Sequence, residues 1–243
     1  MRYFYGIRNL FFGVFVLVVA GGIYMLLLLV ARMLFIGPKR LHWAEVIFAR
    51  LVLSAFGQKL EIGPSDYGQN SSERPRIYVM VPHTSFLDAF AIAASLPEYA
   101  TGVGARNYFW WPVIGWLMCL RLKPIDRGKH LEAVRSLNTV AEDSFRRRLA
   151  LVIAPEGTRA HGPDLLKFKE GAFCVAWAHN AEIVPMLITG AQNSWPRGKL
   201  LPRRGLVKVR FLPAVTKDGF QNVKEMTAGL HDQIEFVLSV IRA

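Results

Sequence analysis

Cysteine is close to absent from this chain. Cys119 and Cys174 are the only two in 243 residues. That scarcity fits a reducing compartment. Both thiols sit among apolar neighbours, which favours small buried hydrophobes over a disulfide or a nucleophile. Several catalytic signatures are missing as well. Gly102-Val103-Gly104 lacks the third glycine of a dinucleotide loop, and no P-loop occurs. No Gly-x-Ser-x-Gly elbow surrounds Ser85 or any other serine. The six histidines and two cysteines show no metal-ligand spacing, so neither a metal nor a resident cofactor is expected. There is no internal repeat and no low-complexity tract.

Acid is also scarce: 18 Asp and Glu stand against 30 Lys and Arg, a net charge of +12. Residues 1–60 hold seven basic residues and one acid. Such a balance attracts either nucleic acid or anionic lipid headgroups. What lies beside the charge decides between them. Leu10 to Ala31 is 22 residues without a charge, long enough to cross a hydrocarbon core of about 30 Å. Phe, Val and Leu occupy every face of that run, leaving no polar side for a globular surface. A membrane surface is therefore the expected partner, and nucleic acid is not. Arg32, Lys39, Arg40 and Arg50 follow the run, while Arg2 and Arg8 precede it. The positive-inside rule then places the remainder of the chain in the cytoplasm.

Gly37-Pro38 ends the first helix. Leu41 to Phe56 resumes as a second, apolar helix, too short for a full span and suited to the interface or to docking on the first. Residues 1–56 are thus expected to form a membrane-anchoring helical segment. Beyond them, short β-branched runs alternate with helical stretches. Strands are expected at Lys59–Ile62, Ile77–Val81, Ala100–Gly104, Ala150–Ala154, Ile183–Ile188 and Leu206–Leu212. Helices are expected at Phe86–Ser95, Trp111–Leu120, Lys129–Arg148, Lys169–His179 and Gln221–Arg242. This alternation predicts that residues 57–243 form an α/β domain, a central and mostly parallel sheet flanked by helices.

Two polar segments follow strands and are the candidate chemistry. The first is His83-Thr84-Ser85-Phe86-Leu87-Asp88. Five positions on a regular helix turn roughly 140°, so His83 and Asp88 would not share a helix face. A strand-to-helix turn can instead fold the imidazole onto the carboxylate. A neutral histidine is a base at physiological pH, and a carboxylate behind it fixes its tautomer and steadies the imidazolium. Ser85 reads as a helix-capping hydroxyl. The second segment is Pro155-Glu156-Gly157-Thr158-Arg159. Arg159 can grip a phosphate through two parallel hydrogen bonds, and Gly157 permits close backbone approach. Glu156 is equally explained by an ion pair with a basic neighbour. Arg127, in the turn Asp126-Arg127-Gly128, is a second phosphate candidate. Trp110, Trp111 and Trp116 suit either a lipid-facing wall or ordinary core.

Taken in order, these segments closely resemble those of the glycerolipid acyltransferases of the 1-acylglycerol-3-phosphate acyltransferase type. His83…Asp88 resembles the family's His-x4-Asp motif. Arg106 through Arg127-Gly128 resembles its second motif, Pro155–Arg159 its third and Ile183-Val184-Pro185 its fourth. The resemblance covers roughly residues 57–215. It implies acyl transfer from acyl-CoA or acyl carrier protein, as co-substrate, to the hydroxyl of a lysophospholipid. It implies His83 as base and Asp88 as its orienter. It makes Glu156, Gly157, Thr158, Arg159 and Arg127 contacts of the acceptor, and Val184 and Pro185 walls of a substrate pocket. Oxyanion donors are expected among backbone N–H groups near the motif turns. Pro82, Ala154 and Arg106 depart from the residues usual in the family, which bears on acceptor and chain preference rather than on reaction type. Two rival readings are an acyltransferase for another lyso-lipid, such as a lyso-ornithine lipid, and a non-catalytic, membrane-tethered basic binding protein.

Overall fold

The structure is a computed structural model that describes residues 2–65, 73–106, 110, 122–125, 130–162 and 164–242. Its centre is a seven-stranded sheet in the order β1-β7-β6-β2-β5-β3-β4. The strands are β1 (Gln58–Ser65), β2 (Arg76–Val81), β3 (Ala100–Ala105), β4 (Leu122–Ile125), β5 (Ala150–Ile153), β6 (Glu182–Thr189) and β7 (Gly205–Phe211). Neighbours are parallel except β6 and β7. The helices are α1 (Arg2–Met33), α2 (His42–Ala55), α3 (Asp88–Ser95), α4 (His130–Arg146), α5 (Gly171–Ala178), α6 (Ala191–Ser194) and α7 (Val223–Arg242). The mostly parallel α/β architecture expected from the sequence is the one observed.

Both faces of the sheet are covered, which is why its strands read as unbroken apolar runs. In β2, Tyr78 and Met80 join the core shared with α2 and α3. Ile77, Val79 and Val81 point the other way, into the core shared with α4, α5 and α7. Burying each of these three aliphatic side chains contributes about 1.5–3 kcal/mol. The strand that presents His83 is therefore held from both sides.

β4 was not legible as a strand. It is four residues long, contains Pro124, and lies at the edge of the sheet, where a proline costs no ladder bond on the open side. The expected helix Trp111–Leu120 lies outside the described residues.

At 32 residues, α1 is about 48 Å long. One narrow stripe of it is buried: Gly6, Asn9, Gly13, Leu17, Gly21, Tyr24 and Ala31. The small residues let α2 approach closely. A Cβ on Gly13 would lie 2.2 Å from the Phe56 ring. Tyr24 stacks on Phe48 with centroids 5.4 Å apart. Opposite that stripe α1 presents exposed apolar side chains, including Phe11, Phe12, Phe15, Val19, Ile23 and Leu26. Helix α1 is long and apolar enough to cross a membrane.

The α1–α2 hairpin is tied to the sheet domain at both ends. Near its start, α1 packs Gly6 against Leu201 and Pro202. At the turn between the helices, Lys39 Nζ donates to the Arg148 carbonyl, and His42 Nε2 lies 2.9 Å from the Leu96 carbonyl. Leu201 precedes β7, whereas Leu96 and Arg148 precede β3 and β5. Because β7 runs opposite to β3 and β5, these anchor points sit at opposite edges of the sheet.

Candidate active site

The site grows from the carboxyl ends of two adjacent strands. Parallel pairing sets Val79 of β2 beside Ile153 of β5. Continuing that register brings the turn after β2 alongside the turn after β5. Sequence separates His83 from Glu156 by 73 positions, yet their backbone and side chain meet here. This is the edge at which parallel α/β sheets gather ligands.

His83 Nδ1 lies 2.9 Å from Asp88 Oδ2. The same oxygen accepts the backbone N–H groups of Thr84 and Ser85, each at 2.8 Å. Three donors on one oxygen fix the carboxylate in place, and Asp88 is fully buried. Its partner keeps 25% of its side chain exposed. With Nδ1–H directed at the carboxylate, the imidazole lone pair is on Nε2. The turn does what a regular helix could not, and α3 begins only at Asp88. The expected start at Phe86 is two residues early because Asp88 spends its side chain on the preceding backbone.

Ser85 is not the helix cap that its position suggested. Its Oγ donates to the Trp195 carbonyl at 2.7 Å and accepts from Leu87 N–H at 3.2 Å. It braces the His83 turn against the chain leaving α6. Trp195 itself contacts the Phe86 and Phe56 rings, at 5.7 and 5.0 Å between centroids. The N–H groups of Thr84, Ser85 and Leu87 are already engaged, which removes them from the expected oxyanion donors.

Glu156 is placed differently from the expected acceptor contact. It is only 3% exposed, and its Oε2 accepts the His83 N–H at 3.3 Å. Among the described residues it has no ion pair, and Oε1 is buried without a partner. Burial pushes its carboxyl up to about 7; the His83 and Leu166 N–H groups pull downward, and the Asp88 carboxylate adds to the rise. A buried carboxyl against the His83 backbone is a brace for the turn. Its proton is linked to folding. Below the ordinary value of 4.5 the folded and unfolded chains both carry the proton. Between there and about 7 the folded chain alone keeps it, so stability falls as pH rises through that window. Glu156→Gln removes the titration. Thermal unfolding from pH 4.5 to 8 should show the parent losing stability relative to the variant, and parallel curves would contradict the assignment.

The turn after Glu156 is cationic. Gly157 has φ +70°, and a Cβ there would lie 2.8 Å from Lys169 Cε and 2.9 Å from its Nζ. Glycine is what lets the Lys169 side chain lie across the turn. Thr158 is exposed and Arg159 half-buried. Arg197 Nη1 donates to the Arg159 carbonyl at 2.7 Å. Lys169 and Arg197 were missed in sequence, where both look like solvated charges; only the folded register brings them to this turn.

Other expected site residues lie elsewhere. Val184 and Pro185 are fully packed in the middle of β6, opposite Tyr78 and Val79. They support the sheet beneath the edge and do not reach the site. Arg127 lies outside the described residues, as do Trp111, Trp116 and Cys119. Trp110 is 84% exposed. Cys174 is half-buried, with its thiol pushed up first by burial and then by Glu170, as suits a packing residue.

Comparison with known proteins gives concordant matches. A family model described as Acyltransferase matches residues 65–189. The 1-acyl-sn-glycerol-3-phosphate acyltransferase of Limnanthes alba is 29% identical over 189 residues, covering 76% of this chain and 66% of the relative. The chain thus spans just under two thirds of that plant protein. The 1-acyl-sn-glycerol-3-phosphate acyltransferase of Salmonella typhimurium is 31% identical over 196 residues, covering 79% of this chain and 77% of the relative. The crystal structure of the 1-acyl-sn-glycerophosphate (LPA) acyltransferase from Thermotoga maritima superposes with a TM-score of 0.83 at 17% identity. That match covers 100% of this chain and 98% of the other, and it shows a shared fold.

Proposed function

The chain belongs to the acyltransferase family, and from that premise we propose that it acylates the free hydroxyl of 1-acylglycerol-3-phosphate to give phosphatidic acid. The donor in this reading is a fatty acyl thioester, acyl-CoA or acyl carrier protein. The observation that carries it is the His83–Asp88 pair, 2.9 Å apart, set beside a cationic turn at one sheet edge. A base next to an anion grip is what a phosphorylated alcohol requires.

In the proposed reaction, His83 Nε2 takes the acceptor hydroxyl proton as the oxygen attacks the thioester carbonyl. A tetrahedral intermediate forms. It collapses with cleavage of the C–S bond, and the imidazolium returns the proton to the departing thiolate. Asp88 stabilises the transient cation and holds the ring. The acceptor phosphate lies over Gly157, between Arg159 and Lys169. Glu156 has no direct part and keeps the His83 backbone in position.

Arg159→Ala tests the phosphate grip. Hydrogen bonds to charged groups contribute about 1.5–3 kcal/mol, so the acceptor KM should rise roughly 10- to 100-fold. The thioester KM should change little. A rise in the thioester KM alone would contradict the assignment.

Membrane association is part of the same reading. A helix tied at both ends to opposite edges of the domain lies along that domain. We read the hairpin as embedded in one leaflet by the exposed face of α1, with the site at the cytoplasmic surface. The basic residues flanking α1 support that side.

A further inference from the structure

A cavity of about 350 Å³ lies away from the His83 turn, where the start of α1 meets the end of α2 and the loop before β7. It is lined by Arg8, Asn9, Phe12, Ser54, Gly57 and Arg204, among others. β1 and β7 begin at the edge where β2 ends, so the cavity shares the catalytic edge, with β7 two and β1 three strands from β2.

Its chemistry is that of an anion site. The guanidinium groups of Arg8 and Arg204 converge on the same Tyr5 ring, at 5.1 and 5.2 Å from its centroid. Neither has an acidic partner among the described residues. Two like charges about one ring, with no counter-charge, raise the local potential. The third element is Asn9, which is 4% exposed. Its Oδ1 accepts from Arg8, leaving Nδ2 buried without an acceptor among the described residues. A buried donor left unmet is unfavourable, and an incoming acceptor would relieve it. Gly57, at φ +79°, lets that amide lie against the backbone at the cavity floor: a Cβ there would sit 2.4 Å from Nδ2 and 3.2 Å from Arg204 Cγ.

The lining also points to what carries the anion. Phe12 forms one wall and is 57% exposed. It begins the apolar face of α1 that continues through Phe15, Val19, Ile23 and Leu26. A free phosphate would use the cations and the amide and ignore that face. A phospholipid uses both, with its phosphate in the cavity and its acyl chains along α1.

We propose that Arg8, Asn9 and Arg204 form a binding site for the phosphate of one anionic phospholipid, separate from the catalytic site and seating the start of α1 at the bilayer surface. The proposal does not depend on the acyl-transfer reading, since His83→Ala should retain the lipid in full.

The test uses the purified full chain, delipidated in detergent, with dioctanoyl phosphatidylglycerol added and bound lipid counted by native mass spectrometry. The parent should hold one phosphatidylglycerol, and Arg8→Gln/Arg204→Gln at least tenfold less at equal lipid concentration. Arg146→Gln/Arg147→Gln removes the same charge elsewhere and should match the parent. Asn9→Asp leaves both arginines but sets a carboxylate against the phosphate, and it should also lose the lipid. Circular dichroism confirms that each variant is folded. Equal retention by Arg8→Gln/Arg204→Gln, or equal loss in the Arg146/Arg147 control, would overturn the site. Displacement of the lipid by millimolar inorganic phosphate would overturn the lipid assignment in favour of a free-phosphate site.

Discussion

His83→Ala should lower kcat for acyl transfer by about 10²–10⁴-fold, the usual worth of a positioned general base. Its effect on folding should be small. The side chain is partly exposed, and its single described bond is to Asp88. The backbone N–H that Glu156 holds is kept in the variant. KM for both substrates should therefore stay within a few-fold, because the cationic turn is intact. A folded variant with near-parent turnover would remove the base from the mechanism. A large loss accompanied by a collapsed thermal transition would show instead that the imidazole holds the turn together.

Asp88→Ala should be damaging twice over. Catalysis should fall by a comparable factor, because the imidazole loses the group that sets its tautomer and steadies its cation. Stability should fall too. Thr84 and Ser85 N–H both end on Oδ2, and each buried donor left unmet costs about 1–3 kcal/mol. That is a large share of the roughly 5–15 kcal/mol that holds a domain folded. Asp88→Asn separates the two effects. Its amide oxygen can still accept from both N–H groups, so thermal stability should lie close to the parent while turnover stays low. If Asp88→Ala melts like the parent, the bonds at Oδ2 do not hold the turn. If Asp88→Asn turns over normally, the carboxylate charge has no catalytic part.

Every described strand but β4, and the base–carboxylate pair, were legible in the sequence because both signals are local. β2 announces itself by its apolar run, and His83 and Asp88 lie within one turn. What was not legible depends on which strands become neighbours. Placing β5 beside β2 brings Glu156 beneath the His83 backbone, and no spacing reveals that. The same pairing moves Glu156 from the expected role of acceptor contact to that of brace. It also draws Lys169 across Gly157, which in sequence is one more basic residue. Val184 and Pro185 carry a motif's position but sit inside the sheet, because β6 enters the core before it reaches the edge. Helix α1 read as uniformly apolar, whereas its buried stripe of Gly6, Asn9, Gly13, Leu17 and Tyr24 emerges only once α2 is known to pack there.

The proposed reaction at this edge joins a thioester to a phosphorylated alcohol. The most direct measurement is turnover of the purified chain with labelled acyl-CoA and, separately, labelled acyl carrier protein. Each donor is offered 1-acylglycerol-3-phosphate, a phosphate-free monoacylglycerol and a lyso-ornithine lipid, and the products are separated by thin-layer chromatography. Phosphatidic acid should be the main product with at least one donor, with kcat/KM for the phosphorylated acceptor at least tenfold above the others. Equal or better use of a phosphate-free acceptor, or no transfer to any acceptor by the folded protein, would contradict it.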